Sequence, residues 1–128
     1  RMMQTLSDDP EATLARFYIQ VADGHPEQAE CLTLLKNAVP SPAFSPSGLQ
    51  DGLHYLRDSD LSLVAAELTI PVLRIHGDAD KICPLAGLKK SLPNQNINVV
   101  KSGHAPMLTN PEQLAGWIQE FLTTRSHG

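Results

Sequence analysis

The sequence predicts an α/β protein in which a helical segment, residues 1–60, is followed by a unit of alternating strands and helices, residues 61–128. Two observations support this prediction. Before residue 61, apolar side chains recur at helical spacing between prolines and glycines. After Leu68, short runs of branched side chains alternate with helical patterns, which is typical of a parallel sheet with crossover helices. We therefore expect two structurally different pieces in one chain.

The first helix is expected to begin at Pro10 and to present one apolar face. Asp9 stands where a helix needs its N-cap, Pro10 occupies the first helical position, and Gly24 lies just beyond the end. The apolar side chains of this face follow the spacing i, i+3, i+4, i+7, i+8; they are Leu14, Phe17, Tyr18, Val21 and Ala22. The segment is thus predicted to be an amphipathic helix with a defined start and end.

Three more helices are predicted before the first strand. Pro26 opens the second, and the proline-rich run "PSPAFSPSG" ends it. The third spans residues 46–57, and its leucines, Leu56 included, are expected to be buried. Asp60 is expected to cap the fourth, "LSLVAAEL". The first sixty residues are therefore expected to form a helical layer.

Two short strands and two helices are predicted for the rest of the chain. The strands span residues 71–77 and 96–100, and the helices span residues 85–92 and 111–124. This order predicts a parallel pair of strands joined by a right-handed crossover. Two strands alone expose both edges and cannot bury a helix on each face. We therefore expect more sheet beside them, on a part of the protein outside these 128 residues.

The composition excludes several classes of function. The chain carries ten Lys and Arg against fourteen Asp and Glu, and residues 1–60 hold four basic and nine acidic side chains, a net charge of −5. Because no basic face is available for a phosphate backbone, nucleic acid is not an expected partner. A transmembrane run and a signal peptide are both absent, so no membrane partner is expected. The two cysteines, Cys31 and Cys83, form no CxxC motif and are expected to be free thiols, which fits the cytoplasm.

Polar loops follow both predicted strands, "GDADKICP" after the first and "KSGHAPM" after the second. Ligands and catalytic groups collect beyond the carboxyl ends of parallel strands. If the strands are neighbours, Asp78 or Asp80 comes to the same sheet edge as His104. A carboxylate there can hold the imidazole by its Nδ1–H and leave Nε2 to act as a general base. The sequence therefore predicts an acid–histidine pair at this edge.

Both loops resemble motifs of the α/β-hydrolase family. "IPVLRIHGDADKICP" matches the family's GxxDxxxP acid loop, and "VVKSGHAPMLTNPEQLAGWIQEFL" matches its GHxPxxxxP histidine loop. The resemblance implies that Asp80 is the catalytic acid and His104 the catalytic histidine. Asp78 is then expected to be a turn residue whose side chain bonds nearby backbone amides. The implied fold is the carboxyl-terminal portion of an α/β-hydrolase, a helical cap (1–60) followed by the last two parallel strands and their helices (61–128).

The helical half resembles the cap of the pimeloyl-acyl-carrier-protein methyl ester esterases of biotin synthesis, through "LSDDPEATLARF", "LLK" and "GLQDGLHYLRDSDL". The resemblance implies a serine esterase without metal or organic cofactor, acting on a small ester whose acyl chain is free or linked to a carrier protein. Phe17, Phe44 and Tyr55 are expected to shape the acyl pocket. Such an enzyme needs a serine in a GxSxG elbow, and none occurs in these 128 residues. The serine is therefore expected upstream, on the missing amino-terminal part of the hydrolase core.

Two alternatives remain open at this point. The same acid and histidine serve lyases, dehalogenases and carbon–carbon hydrolases of this fold, because fold does not decide function. The chain could also be a non-catalytic truncated fragment or binding module that keeps the scaffold without the chemistry. Only the residue at the upstream elbow separates these readings from an esterase.

The remaining chemically active side chains are expected to have structural roles. His25, in "GHPEQ", follows no strand and opens a helix, so a structural or surface role is favoured. His54 and His76 are expected to pack. Cys83 is expected to be a small buried residue rather than a nucleophile. A calcium loop is not expected around Asp80, because Ile82 takes the next alternating position and no glutamate closes the loop.

Overall fold

The computed structural model describes residues 2–38 and 44–124. In chain order, the elements in these residues are α1 (Met2–Asp8), α2 (Pro10–Ala22), α3 (Gln28–Ala38), α4 (Pro46–Asp58), α5 (Ser62–Glu67), β1 (Ile75–Gly77), α6 (Leu85–Ser91), β2 (Asn98–Val100), α7 (Pro106–Thr109) and α8 (Pro111–Thr123). The order of helices followed by a strand–helix–strand–helix unit is the predicted one. In the described part of the chain, no helix is long and apolar enough to cross a membrane.

Helix α2 begins and ends where the sequence predicts. The Asp9 carboxylate accepts a hydrogen bond from the amide of Ala12 at 3.0 Å, and Pro10 occupies the first turn. Gly24, just past the end, has a φ of +86°, a left-handed conformation that glycine adopts without strain. Local capping chemistry therefore sets both ends of this helix.

The other predicted helices are present with small shifts. Helix α3 begins two residues after Pro26, and Asp60 accepts a hydrogen bond from the amide of Ser62 at 2.9 Å, at the start of α5. Much of the proline-rich break falls on residues 39–43, which lie outside the described residues. The short helices α1 and α7 were not predicted. Helix α7 is a single turn of four residues, too short to show a periodic pattern.

The helical core lies where α2 packs against α1 and α3. Its buried side chains include Leu6, Val21, Ala22 and Cys31. Helix α4 packs mainly against the short helix α1, so little of its surface is covered. The predicted burial of Leu56 is wrong, since 74% of this residue is exposed.

The two strands form a parallel pair with Ile75 opposite Asn98 and Gly77 opposite Val100. The parallel pairing is as predicted, but each strand is three residues long, shorter than the predicted 71–77 and 96–100. Pro71 has no amide proton to donate to a ladder, and within the described residues each strand has one neighbour. The strand pairing therefore includes only the residues that come directly before the two polar loops.

Candidate active site

The loops that follow β1 and β2 are held against each other beyond the last strand pair. The amide of Asp78 donates to the carbonyl of Val100 at 2.9 Å, and the amide of Ala79 donates to that of Ser102 at 3.0 Å. A Cβ atom on Gly77 would lie 2.1 Å from the carbonyl oxygen of Gly103, so only glycine permits this approach. The strands thus bring the acid loop and the histidine loop together.

Asp80 is a buried carboxylate with every oxygen engaged. Its Oδ1 accepts hydrogen bonds from the amides of Ile82 and Cys83, both at 2.8 Å, and its Oδ2 faces His104 Nδ1 at 2.9 Å. Burial raises the pKa of Asp80, but the Cys83 amide, the His104 ring and the Ile82 amide outweigh it, so the pKa lies below its ordinary value. The side chain is therefore ionised near neutral pH.

His104 is oriented by this carboxylate. Since an ionised carboxylate can only accept, the Nδ1 that lies 2.9 Å from Asp80 Oδ2 carries the proton. In a neutral ring, Nε2 then has a free lone pair and is able to take a proton. A third of the His104 side chain is exposed, whereas only 3% of the Asp80 side chain is. The pair thus has a covered acid and an accessible imidazole, the arrangement that the strand-end motifs predict.

Asp78 occupies a different position from Asp80. Its Oδ1 accepts a hydrogen bond from the amide of Ser102 at 3.1 Å. The predicted bond to a backbone amide is present, and its donor lies on the histidine loop, 24 residues away. Asp78 therefore ties the two loops together by bonding a backbone amide, and none of the histidine rings that the structure describes is bonded to it.

Two neighbours of the acid differ from their predicted roles. His76, expected to pack rather than to face the active site, donates from Nε2 to the carbonyl of Cys83 at 2.7 Å, and the same nitrogen lies 3.5 Å from Asp80 Oδ2. Its position at the end of the first predicted strand is the signal that could have identified it. Cys83 is exposed, so its predicted burial is wrong; it sits on the loop that turns out beyond the sheet edge.

A metal ion could in principle use three side chains of these loops. Ligand atoms of Asp80, Cys83 and His104 all lie within 4.8 Å of one another. The hydrogen bonds of Asp80 account for both of its oxygens, since two amides and one imidazole already occupy them. The cluster is therefore explained as an acid–histidine pair beside a thiol.

An apolar cavity of about 750 Å³ lies among α1, α2, α4 and the residues before α4. The three predicted pocket residues, Phe17, Phe44 and Tyr55, all line it, and so does Leu56. Phe44 and Tyr55 are more than half exposed, so the cavity is bordered by side chains that solvent reaches. Asp80 and His104 are not wall residues. The three predicted pocket residues thus line the same cavity, and the acid–histidine pair does not line it.

His25 is buried in this region, and sequence reasoning did not predict its contacts with the histidine loop. Only 5% of it is exposed, and its ring bonds residues of the histidine loop and of α7. The sequence around it, "GHPEQ", carries a turn signal and nothing that points to contacts about eighty residues away. A structural role was one of the two expected for it, and the geometry excludes the surface alternative.

The acid loop and the histidine loop lie at the ends of neighbouring parallel strands. Comparison with known proteins relates the chain to α/β-hydrolases. No family model matches the chain. It is 34% identical to a pimeloyl-[acyl-carrier protein] methyl ester esterase of Vibrio vulnificus and 36% identical to the protein of that name from Pectobacterium atrosepticum. Each match covers 92% of this chain and 48% of the relative.

A third relative has a different architecture. The chain is 34% identical to a biotin biosynthesis bifunctional protein of Teredinibacter turnerae, over 91% of this chain and 21% of that protein. The chain spans about half the length of the esterases and corresponds to their carboxyl-terminal half. The predicted resemblance to these α/β-hydrolases is therefore confirmed, and the shared region contains both polar loops.

Proposed function

We propose that the protein carrying this chain is a carboxylic ester hydrolase with a serine nucleophile, in which Asp80 is the relay acid and His104 the general base. The observation that carries the proposal is the 2.9 Å contact between Asp80 Oδ2 and His104 Nδ1 at the end of two parallel strands. The names of the relatives supply the substrate class, a methyl ester. Biotin synthesis is the corresponding pathway.

The reaction would follow two acyl transfers. His104 Nε2 takes the proton of the serine hydroxyl as its oxygen attacks the ester carbonyl, and then gives this proton to the departing alcohol. A water molecule attacks the serine ester in the same way, which releases the acid and restores the serine. Asp80 keeps the imidazole in the Nδ1–H tautomer and stabilises the imidazolium that forms in each step.

We place the serine outside residues 1–128. The sequence holds no GxSxG elbow, and the chain spans about half the length of its esterase relatives. Ser102 lies on the histidine loop itself, yet it is fully buried, with its Oγ 3.0 Å from His25 Nδ1. An ester carbonyl has no access to it. The oxyanion hole, which uses the amide after the nucleophile, would lie with the elbow.

Residues 1–60 would form the cap, and the cavity lined by Phe17, Phe44 and Tyr55 would hold the acyl chain. Its apolar walls suit methylene groups. The segment has a net charge of −5, and Arg57 is paired with Asp58 at 2.5 Å, so it offers little free positive charge to an acidic carrier protein. We therefore propose that the acyl chain, free or carrier-linked, provides most of the recognition.

The test is to express the complete coding region and to compare the wild type with His104→Gln and with His54→Gln as a matched control on an exposed helix face. With a methyl ester of a medium-chain dicarboxylic acid as substrate, His104→Gln should lose kcat/KM by about 10³-fold or more, and His54→Gln should not. Equal activity of all three proteins would refute the proposed relay. A coding region without an upstream elbow would favour the non-catalytic alternative.

A further inference from the structure

The turn between α2 and α3, residues 23–25, is packed against both polar loops. A Cβ atom on Gly24 would lie 2.2 Å from the carbonyl oxygen of Ala79, the residue before the acid Asp80. A Cβ atom on Gly103, the residue before His104, would lie 2.5 Å from the carbonyl oxygen of Asp23. Such approaches leave no space for a side chain. The turn therefore contacts the chain beside the acid and beside the histidine.

His25 adds hydrogen bonds to this contact. Its Nε2 accepts from the amide of Ala105 at 3.2 Å, and its Nδ1 lies 2.8 Å from Thr109 Oγ1 and 3.0 Å from Ser102 Oγ. Because an amide can only donate, Nε2 is unprotonated and Nδ1 carries the proton toward the two hydroxyls. Burial lowers the pKa of His25, which favours the same neutral ring. The surroundings thus select one tautomer.

The contacts of His25 fall on both sides of His104. Ser102 precedes His104 by two residues and Ala105 follows it directly, while the His25 ring covers Gly103, whose added Cβ would lie 2.6 Å from Cδ2. The backbone that carries His104 is therefore fixed before and after the ring. A shift of this backbone would change the 2.9 Å separation of His104 Nδ1 from Asp80 Oδ2.

We propose that His25 is a positioning residue for His104: it fixes the backbone of the histidine loop from the helical segment, so that the His104 ring meets Asp80. His25 touches neither Asp80 nor His104 by a hydrogen bond, and with 5% of it exposed it has no access to substrate. The role of His25 in catalysis rests on the proposed function, whereas its effect on the backbone of the histidine loop does not. A change in the helical segment would thereby alter the geometry of the acid–histidine pair.

Two variants of the full-length protein separate the polar contacts from simple packing. His25→Phe keeps an aromatic ring over Gly103 but cannot accept from the Ala105 amide, whereas the oxygen of His25→Gln reaches the position of Nε2. In His25→Phe, hydrogen exchange of the Ala105 amide should quicken by about tenfold, the scale of one lost hydrogen bond, and His25→Gln should restore most of the protection. The low-field proton resonance of His104 Nδ1–H should broaden in His25→Phe and persist in His25→Gln.

The kinetic constants distinguish a positioning role of His25 from a packing role. His25→Phe should lower kcat for ester hydrolysis and leave KM nearly unchanged, since the cavity walls do not include residue 25. His25→Gln should recover kcat. If Asp80→Asn is fully active while His25→Phe still speeds hydrogen exchange of the Ala105 amide, the proposed relay is wrong and the positioning role of His25 stands. If Asp80→Asn is crippled while His25→Phe changes neither the amide nor the His104 proton, the positioning role is wrong.

The wild-type protein provides a check that needs no variant. Nitrogen chemical shifts of the His25 ring at neutral pH should report a neutral imidazole protonated at Nδ1. A charged ring, or a ring protonated at Nε2, is incompatible with acceptance from the Ala105 amide and would overturn the proposal even if His25→Phe fails to fold.

Discussion

Replacing Asp80 by asparagine is expected to cripple hydrolysis, and the hydrogen bonds of the loop explain how. The carboxylate uses Oδ1 for two amides, those of Ile82 and Cys83 at 2.8 Å, and Oδ2 for His104 at 2.9 Å. An asparagine has one oxygen. Two amide donors need that oxygen and one imidazole needs the other position, so the side chain should keep its oxygen on the amides and turn its NH₂ group toward His104.

That orientation produces the wrong tautomer of the base. An NH₂ group facing His104 Nδ1 favours an unprotonated Nδ1, which puts the proton on Nε2 and removes the lone pair that the mechanism requires. The charge that stabilises the imidazolium is lost at the same time. We expect kcat/KM to fall by about 10³ to 10⁴, the scale seen when a relay acid is neutralised, or roughly 4 to 5.5 kcal/mol of barrier.

Asp78→Asn is the matched control. Asp78 accepts one hydrogen bond, from the amide of Ser102 at 3.1 Å, and the oxygen of an asparagine can accept it equally. Its kcat/KM is expected to fall by no more than about tenfold, roughly 1.4 kcal/mol. Both variants are assayed in the complete protein at about pH 8 after circular dichroism shows that they are folded. A crippled Asp78→Asn beside a normal Asp80→Asn would refute the assignment of the acid.

Three further predictions follow from the same structure. The 128-residue chain alone should not turn over p-nitrophenyl esters, and histidine-dependent turnover that survives serine reagents would contradict the placement of the nucleophile. The chain alone should bind a hydrophobic dye, because Leu63, Ile70 and Val72, in the segment that precedes the first strand, are exposed; a sharp cooperative melt without dye binding would argue otherwise. Because burial lowers the pKa of His25 in the folded state, the unfolded chain takes up a proton at higher pH than the folded protein does. The free energy of unfolding should therefore decrease as the pH falls below about 6.5. In urea titrations, His25→Phe should show a shallower decrease of this free energy between about pH 7 and 5. An identical decline in both proteins would show that His25 does not cause it.

The parts of the fold that sequence could predict are those fixed by local chemistry. Asp9, Pro10 and Gly24 define both ends of α2 through a cap, a fixed φ and a left-handed turn. The two polar loops were predictable because parallel strands bring their carboxyl ends to one edge, whichever side chains they carry. The family motif favours Asp80 over Asp78 as the acid, and the hydrogen bonds give a geometric reason for the same assignment.

The parts that sequence could not predict depend on packing between distant segments. His25 bonds an amide eighty residues away, and no periodicity in "GHPEQ" encodes that contact. Leu56 belongs to the apolar stripe of α4, which predicts that it is buried. Its burial depends on which elements pack against α4, and the sequence of α4 alone does not show this. The strands are shorter than their apolar runs because a ladder needs partners as well as β-forming residues.

Covalent labelling identifies the nucleophile and shows whether His104 activates it. The complete protein is treated with a fluorophosphonate, digested, and the modified peptide is mapped by mass spectrometry, in the wild type and in His104→Gln. We expect one modified serine, in a GxSxG elbow outside residues 1–128, and labelling that slows sharply without His104. A modified residue within positions 1–128, or labelling at the same rate in His104→Gln, would contradict this expectation.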